Sequence, residues 1–211
     1  MLVVAHRTPS TATECAALAD AGVQVFEVDV QLGADGIVVS HYLPLFGVRG
    51  WIEHDNARMR WRSRRDPTLD EVTELVPVHC RILLDPKETA PSRRAELVRR
   101  IAALPGTERY VTSTSETADL AALRAAGMRT WRTIKSVRDY DGARRDGPLG
   151  DDAVSVRHTL VTVERVRELK QLVPSIVAWT VNSTRDALRL QAIGVDGLTT
   201  DRPAELTRIL R

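Results

Sequence analysis

Short runs of Val, Ile and Leu alternate with helix-forming runs along almost the whole chain. That alternation constrains the fold more than any single residue does. The apolar runs are LVVAH (2–6), VQVFEVDV (23–30), RILLD (81–85), RYVTS (109–113), MRTWRT (128–133), DAVSV (152–156), SIVAWT (175–180) and VDGLTT (195–200). Helical runs follow most of them, at 11–22, 91–104, 116–127, 162–172, 184–194 and 203–210. A strand followed by a helix and another strand implies a parallel pair with a crossover helix. Eight such strands predict a closed (β/α)8 barrel of the TIM type, compact at 211 residues and therefore short in its loops. An open doubly wound sheet is the alternative. Against it, no Gly-rich phosphate turn follows the first strand.

Two stretches break the alternation. Residues 43–80, including FGVRGWIEHDNARMRWRSRRDP, read as an inserted loop or small subdomain between the second and third main strands of one domain spanning 1–211. Residues 134–150, IKSVRDYDGARRDGPLG, read as a mobile loop. The formal net charge of +2 argues against a nucleic-acid partner. No apolar run approaches membrane-spanning length, so no stable membrane insertion is expected. Cys15 and Cys80 stand far apart and read as reduced thiols. The first strand begins at Leu2, which leaves no room for a signal peptide, so a cytoplasmic location is expected.

The chemistry concentrates in VFEVDVQLGADGIVVSHY (25–42). Alternation puts Val25, Glu27, Asp29 and Gln31 on one face of the strand and Phe26, Val28 and Val30 on the other. In a barrel the apolar set packs outward on helices and the two carboxylates point inward. Like charges so close call for a cation between them, and a hard divalent ion prefers oxygen ligands. The turn decides the place of His41. A two-residue Asp35-Gly36 loop pairs Val30 with His41. A three-residue loop, Ala34 to Gly36 with Gly36 left-handed, pairs Asp29 with His41 and is the form predicted here. Two other strand ends reach the same rim. AHR (5–7) brings His6 and Arg7, and LLDPK (83–87) brings Asp85 and Lys87. The C-terminal rim of a parallel barrel is where active sites lie.

On these residues the sequence resembles the glycerophosphodiester phosphodiesterase family. The motifs that carry the likeness are HRT (6–8), EVD (27–29), DGIVVSHY (35–42), PTLDEV (67–72), DPK (85–87), WTVN (179–182) and GVDGLTTDRP (194–203). The resemblance runs nearly end to end, and it implies a barrel with one divalent ion, Mg2+ or Ca2+. It assigns Glu27, Asp29 and Asp85 to the metal, His6 and His41 to general acid and base, and Arg7 and Lys87 to the substrate phosphate. Trp179, at a strand end, is expected to wall the substrate pocket.

The implied reaction cleaves a small-molecule, glycerophosphodiester-like substrate to a phosphomonoester and an alcohol. A lyase-type variant stops at the cyclic phosphate, and a non-catalytic binding protein on the same barrel is the reading from another class. Four departures stand out: Thr8 for the family's Gly, Tyr42 for its Asp, Asp85 for its Glu, and a reduced PSTAT (9–13). His54, in EHD (53–55), is a rival for the second histidine, but His41 ends a proper hairpin strand. Trp51 and Trp61 read as parts of a solvated loop. His79 and His158 read as structural, and Asp196 and Asp201 as turn residues near the pocket.

Overall fold

The structure, a computed structural model, describes residues 1–34, 36–40, 42–44, 50–53, 59–61 and 66–210; in 42–44, 50–53 and 59–61 it describes the backbone only. The eight runs read as strands all form strands: β1 (Leu2–Ala5), β2 (Val25–Leu32), β7 (Arg81–Pro86), β8 (Tyr110–Thr114), β9 (Arg129–Ile134), β10 (Ala153–Arg157), β11 (Ser175–Trp179) and β12 (Gly197–Thr200). They pair in parallel in the order β1-β12-β11-β10-β9-β8-β7-β2, and β1 pairs with β2 to close the ring. The fold is the expected (β/α)8 barrel, and the open-sheet alternative fails at that closure.

Period-2 alternation sorts each strand's side chains between two cores. Phe26, Val28, Val30, Ile82 and Leu84 point outward into the layer beneath the helices. Val4, Val25, Leu83, Val111, Trp131, Ala153 and Val177 point inward and plug the lower lumen. A filled lumen is what an eight-stranded barrel allows, because its interior is only wide enough for side chains.

The helices α1 (Ala12–Asp20), α2 (Leu69–Leu75), α3 (Pro91–Ala102), α4 (Thr117–Ala125), α5 (Val137–Asp146), α6 (Val163–Leu169), α7 (Thr184–Ala192) and α8 (Pro203–Ile209) cover the outside. Their starts are written locally. Thr11, Ser136, Thr162 and Ser183 each accept a hydrogen bond from the backbone N–H three residues on. Thr68 and Glu71 form a full capping box on α2.

Two expectations are corrected. Residues 134–150 are not a loop. The last residue of β9 and the helix α5 occupy most of that stretch, with Tyr140 and Ala143 buried and Gly147 ending the helix at φ 73°. The charged residues that read as a loop are the solvent face of an amphipathic helix.

The second correction concerns the hairpin. β2 pairs antiparallel with β3 (Ile37–Val39) in the register Val30↔Val39, Gln31↔Val38 and Leu32↔Ile37. Gly33 N–H donates to Gly36 O (2.8 Å), so the turn closes between those two residues. The register is therefore one residue off the three-residue loop. Ser40 takes the position opposite Asp29, with its N–H donating to Asp29 O at 3.0 Å. The closed Gly33–Gly36 pair wins over the left-handed Gly36 that the Asp-Gly signal suggested. His41 itself lies outside the described residues, as do His54 and the side chains of Tyr42, Trp51 and Trp61.

Past the hairpin, β4 (Tyr42–Pro44), β5 (Gly50–Glu53) and β6 (Met59–Trp61) pair as a separate antiparallel sheet. The chain then rejoins the barrel at Pro67, whose carbonyl accepts from Val39 N–H at 2.9 Å. α2 follows and buries Leu69 and Val72.

Candidate active site

The lumen changes character with height. One alternation step above the apolar plug, Ser113, Thr133, Ser155 and Thr199 face a cavity of about 490 Å³ at the C-terminal mouth. The same cavity is lined by His6, Glu27, Asp29, Asp85, Lys87 and Trp179. Six of the predicted site residues thus meet in one place. Arg7 is not among the lining residues; its backbone at φ 63° instead turns its N–H onto Glu27 Oε2 at 3.0 Å.

Register explains the convergence. Asp29 on β2 stands beside Asp85 on β7. Glu27 sits one alternation step lower on the same face as Asp29, and both are nearly fully buried. One carboxylate oxygen from each of Glu27, Asp29 and Asp85 lies within 4.8 Å of the others. Lys87 bridges two of them, with Nζ 3.1 Å from Asp29 Oδ1 and 2.6 Å from Asp85 Oδ2. Thr8, the departure from the family's Gly, ties down the strand beneath: its N–H and its hydroxyl both donate to Glu27 O, at 2.9 and 3.1 Å.

The electrostatics follow from this crowding. Burial, and then the charge of Asp29, push the Glu27 carboxyl up to about 8. Burial likewise raises Asp85, against the pull of Lys87. Burial alone lowers a lysine, yet Asp85 and Asp29 together hold the Lys87 ammonium above its ordinary value. The three carboxyl groups crowd one another, and of them Lys87 contacts only Asp29 and Asp85. An all-oxygen set this compact fits a hard divalent cation, with Glu27, Asp29 and Asp85 as the residues that would hold it.

His6 faces the cluster from β1. Its Nε2 is 3.9 Å from Glu27 Oε2, and its Nδ1 is 2.6 Å from Asp201 Oδ1. Asp201 is itself fixed: Asn182 Nδ2 donates to its Oδ2 (2.6 Å), and its own N–H donates to Asn182 Oδ1 (2.9 Å). Burial disfavours the imidazolium, but the Asp201 hydrogen bond and the Glu27 charge outweigh it and raise the His6 pKa. The hydrogen bond from His6 in turn holds Asp201 below the usual carboxylate range. A histidine oriented at one nitrogen and open toward the cavity at the other is equipped to move a proton.

The sequence reading took Asp201 for a turn residue and did not single out Asn182. Their signal was present, since WTVN and TTD each put a polar side chain just past a strand's C-terminal end. Asp196 is structural: it accepts from Ile176 N–H at 2.7 Å and pairs with Lys170. His158 is structural too, with Nδ1 2.9 Å from Thr180 O. Trp179 lines the mouth, under the Arg157 guanidinium at 5.5 Å.

A closed parallel barrel with a histidine, a lysine and three clustered carboxylates at its C-terminal mouth defines a class: barrel enzymes whose active site lies at the C-terminal rim. The particular family follows from comparison. The glycerophosphoryl diester phosphodiesterase family matches residues 53–205, and the chain belongs to it.

Among solved structures, the glycerophosphodiester phosphodiesterase of Thermotoga maritima shares 22% identity at a TM-score of 0.71, with 100% of this chain and 98% of that one covered. An Oleispira antarctica phosphodiesterase, solved with its product sn-glycerol-3-phosphate, shares 17% identity at a TM-score of 0.70, covering 100% of this chain and 96% of that one. Among curated proteins, YhdW of Bacillus subtilis (strain 168), provisionally named a glycerophosphodiester phosphodiesterase, is 40% identical over 50 residues. Those residues are 24% of this chain and only 21% of that protein. Among the described residues no helix is long and apolar enough to cross a membrane.

Proposed function

We propose that this protein is a metal-dependent phosphodiesterase that cleaves a glycerophosphodiester-like substrate to a phosphomonoester and an alcohol. The observation that carries the reading is the single cavity in which His6, Lys87 and the Glu27–Asp29–Asp85 triad meet. The Oleispira antarctica relative, with sn-glycerol-3-phosphate as product, supports the substrate class.

Glu27, Asp29 and Asp85 would hold a divalent ion, Mg2+ or Ca2+, which would supply positive charge against the charge that builds on the phosphate in the transition state. Lys87, fixed by two carboxylates at the cavity wall, adds a second positive charge for the substrate phosphate, and Arg7 is the further candidate from the neighbouring loop. His6, oriented by Asp201, exchanges a proton with a reacting oxygen. His41 is the proposed partner of opposite role. One histidine accepts the proton of a substrate hydroxyl as its oxygen bonds to phosphorus, and the other protonates the alcohol as its P–O bond breaks. The cyclic phosphate so formed is opened by water in the hydrolase reading and released in the lyase variant. A small phosphodiester is the only partner this requires, and a cytoplasmic lipid-salvage setting suits it.

The test is phosphorus NMR of a glycerophosphodiester panel with Mg2+, with Ca2+ and with chelator. Metal-dependent appearance of monoester is expected, and a persistent cyclic phosphate identifies the lyase outcome. His6→Ala and His41→Ala should each lower turnover by roughly a thousandfold, within the range for a lost acid or base. Unchanged turnover in either variant overturns that residue's role. No turnover across the panel favours the binding-protein reading.

A further inference from the structure

The cavity has a second half that the reaction above does not use. The catalytic cluster hangs from β1, β2 and β7. Directly across the ring stand β9 and β10, four strands away from β1 and β2 in the barrel order. There Lys135 and Arg157 line the same cavity. They are neighbours: Ile134 pairs with Val156, so the next step of the register sets Lys135 beside Arg157. Neither has a carboxylate within ion-pair distance among the described residues. Two other charged residues, Arg94 and Glu116, line this half. Arg94 is held by Asp119 and Thr114, both at 2.6 Å. The Glu116 carboxylate lies against Ser115 Oγ at 3.3 Å. Two adjacent cations facing a cavity repel one another until an anion arrives between them.

The floor between the halves is polar in an unusual way. The hydroxyls of Ser113, Thr133, Ser155 and Thr199 face the cavity and make no hydrogen bond to any described residue. Ser113, Ser155 and Thr199 are nonetheless buried, at 4%, 7% and 4% exposure. Their side-chain oxygens open onto the cavity, where water or a ligand can satisfy them, and a polyol matches a ring of donors and acceptors. The aromatic wall is no site for a quaternary ammonium, because Arg157 already covers the Trp179 ring.

We infer that this half is the leaving-group subsite and that it selects an alcohol that is a polyol bearing a further anionic group, such as a phosphorylated cyclitol or sugar. The inference rests on the phosphodiesterase reading for its chemistry. It rests on Lys135, Arg157 and the hydroxyl floor for its specificity.

The test compares kcat/KM for glycerophosphoinositol 4-phosphate with that for glycerophosphocholine, in wild type and in the Lys135→Ala/Arg157→Ala double variant. The same two diesters are titrated calorimetrically into the His6→Ala protein, with and without the double substitution. Wild type should prefer the anionic polyol diester, and the double variant should lose roughly tenfold of that preference, about the sum of two exposed charge contacts. A preference for the choline diester, or a ratio unchanged in the double variant, overturns the subsite. If wild type turns over neither diester, the phosphodiesterase reading fails and calorimetry alone decides. Tighter binding of the anionic diester, weakened by the double substitution, supports the subsite. Equal binding of the two, or none, overturns it.

Discussion

The two halves of the barrel mouth are built on opposite principles. On the β1–β2–β7 side every charged group has a partner: Lys87 bridges Asp29 and Asp85, Glu27 accepts the Arg7 amide, and His6 leans on Asp201. On the β8–β10 side, among the described residues, the floor hydroxyls have none, and Lys135 and Arg157 face the cavity with no acid within ion-pair distance. The first half is pre-organised, its side chains held before a substrate arrives. The second leaves its hydrogen bonds to water or a ligand. One half does chemistry on a phosphate common to all candidate substrates, and the other chooses among the alcohols attached to it. Substitutions in the bonded half should therefore alter stability and rate, whereas those in the open half should alter only choice of substrate.

The largest effect expected on stability separates the halves by metal. A cation present at a hundred times its dissociation constant stabilises by about 2.7 kcal/mol, which raises the melting temperature of a chain this size by roughly 5–10 °C. Wild type should show that rise in Mg2+ or Ca2+ over chelator. Asp29→Asn should lose most of it, and Ser113→Ala should keep it. A full rise in Asp29→Asn, followed by differential scanning calorimetry, would remove the carboxylate triad as the metal site.

Next comes Asp201→Asn. The amide can still accept from His6, but it cannot favour the imidazolium. A hydrogen bond to a charged group contributes about 1.5–3 kcal/mol, so kcat should fall tenfold or more while KM changes little. A variant whose KM rises at constant kcat would show Asp201 shaping the pocket instead of orienting the histidine.

The contrast between the halves also explains what could be read from the sequence. Glu27, Asp29, Asp85 and Lys87 stand out because a charged residue on the face of a strand that otherwise wants valine is costly, and its cost marks it. The eight strands are legible for the same reason, through apolar runs that turn helices cannot supply. Ser113, Thr133 and Ser155 carry no such mark. Serine and threonine are ordinary strand residues, and only closure of the ring turns them toward one cavity. Asp201 hid as a turn residue because its partner, His6, is nearly the whole chain away, and Asn182 acts only through Asp201. α5 hid because its charge-rich face outweighed its two buried positions, Tyr140 and Ala143, spaced three apart. The hairpin register failed by one residue, since a turn signal such as Asp-Gly fixes that a chain reverses but not which pair closes it.

A smaller effect is expected at the edge of the bonded half. Glu88 and Arg93 together hold both backbone groups of Leu32, at the end of β2. Leu32 N–H donates to Glu88 Oε1 (2.9 Å), Arg93 Nη2 donates to Leu32 O (2.8 Å), and Arg93 grips both Glu88 oxygens at 2.7 and 2.9 Å. Burial works against the Glu88 charge, but Arg93 and the Leu32 amide overcome it and hold the carboxyl below its ordinary 4.5. A depressed carboxyl contributes its stability in full above its unfolded value and loses it as the pH falls through its folded one. Glu88→Gln should therefore cost about 1 kcal/mol near neutral pH. The gap to wild type should close below pH 4.5, where wild-type Glu88 also protonates. Urea titrations at several pH values measure it, and a gap that widens in acid would contradict the clamp.

The smallest effect is the one that most sharply tests the open half. Ser155 lies on the floor beside Thr133, its register partner, and its hydroxyl faces the cavity without a described partner. Replacing it by alanine removes a polar atom that makes no hydrogen bond to any described residue and keeps the β-carbon in place. Ser155→Ala should shift stability by no more than about 0.5 kcal/mol in either direction, the range of a substitution that breaks no interaction. Equilibrium denaturation in urea resolves a change of that size when wild type and variant are run side by side. A loss well beyond it would mean that the hydroxyl is already engaged in the folded protein, through a bound water held as firmly as a side chain. The floor would then be a structural layer like the carboxylate cluster, and the difference between the halves would shrink to charge alone. A neutral substitution that nonetheless weakens binding of a polyol diester would leave the difference intact, with the hydroxyl reserved for the ligand.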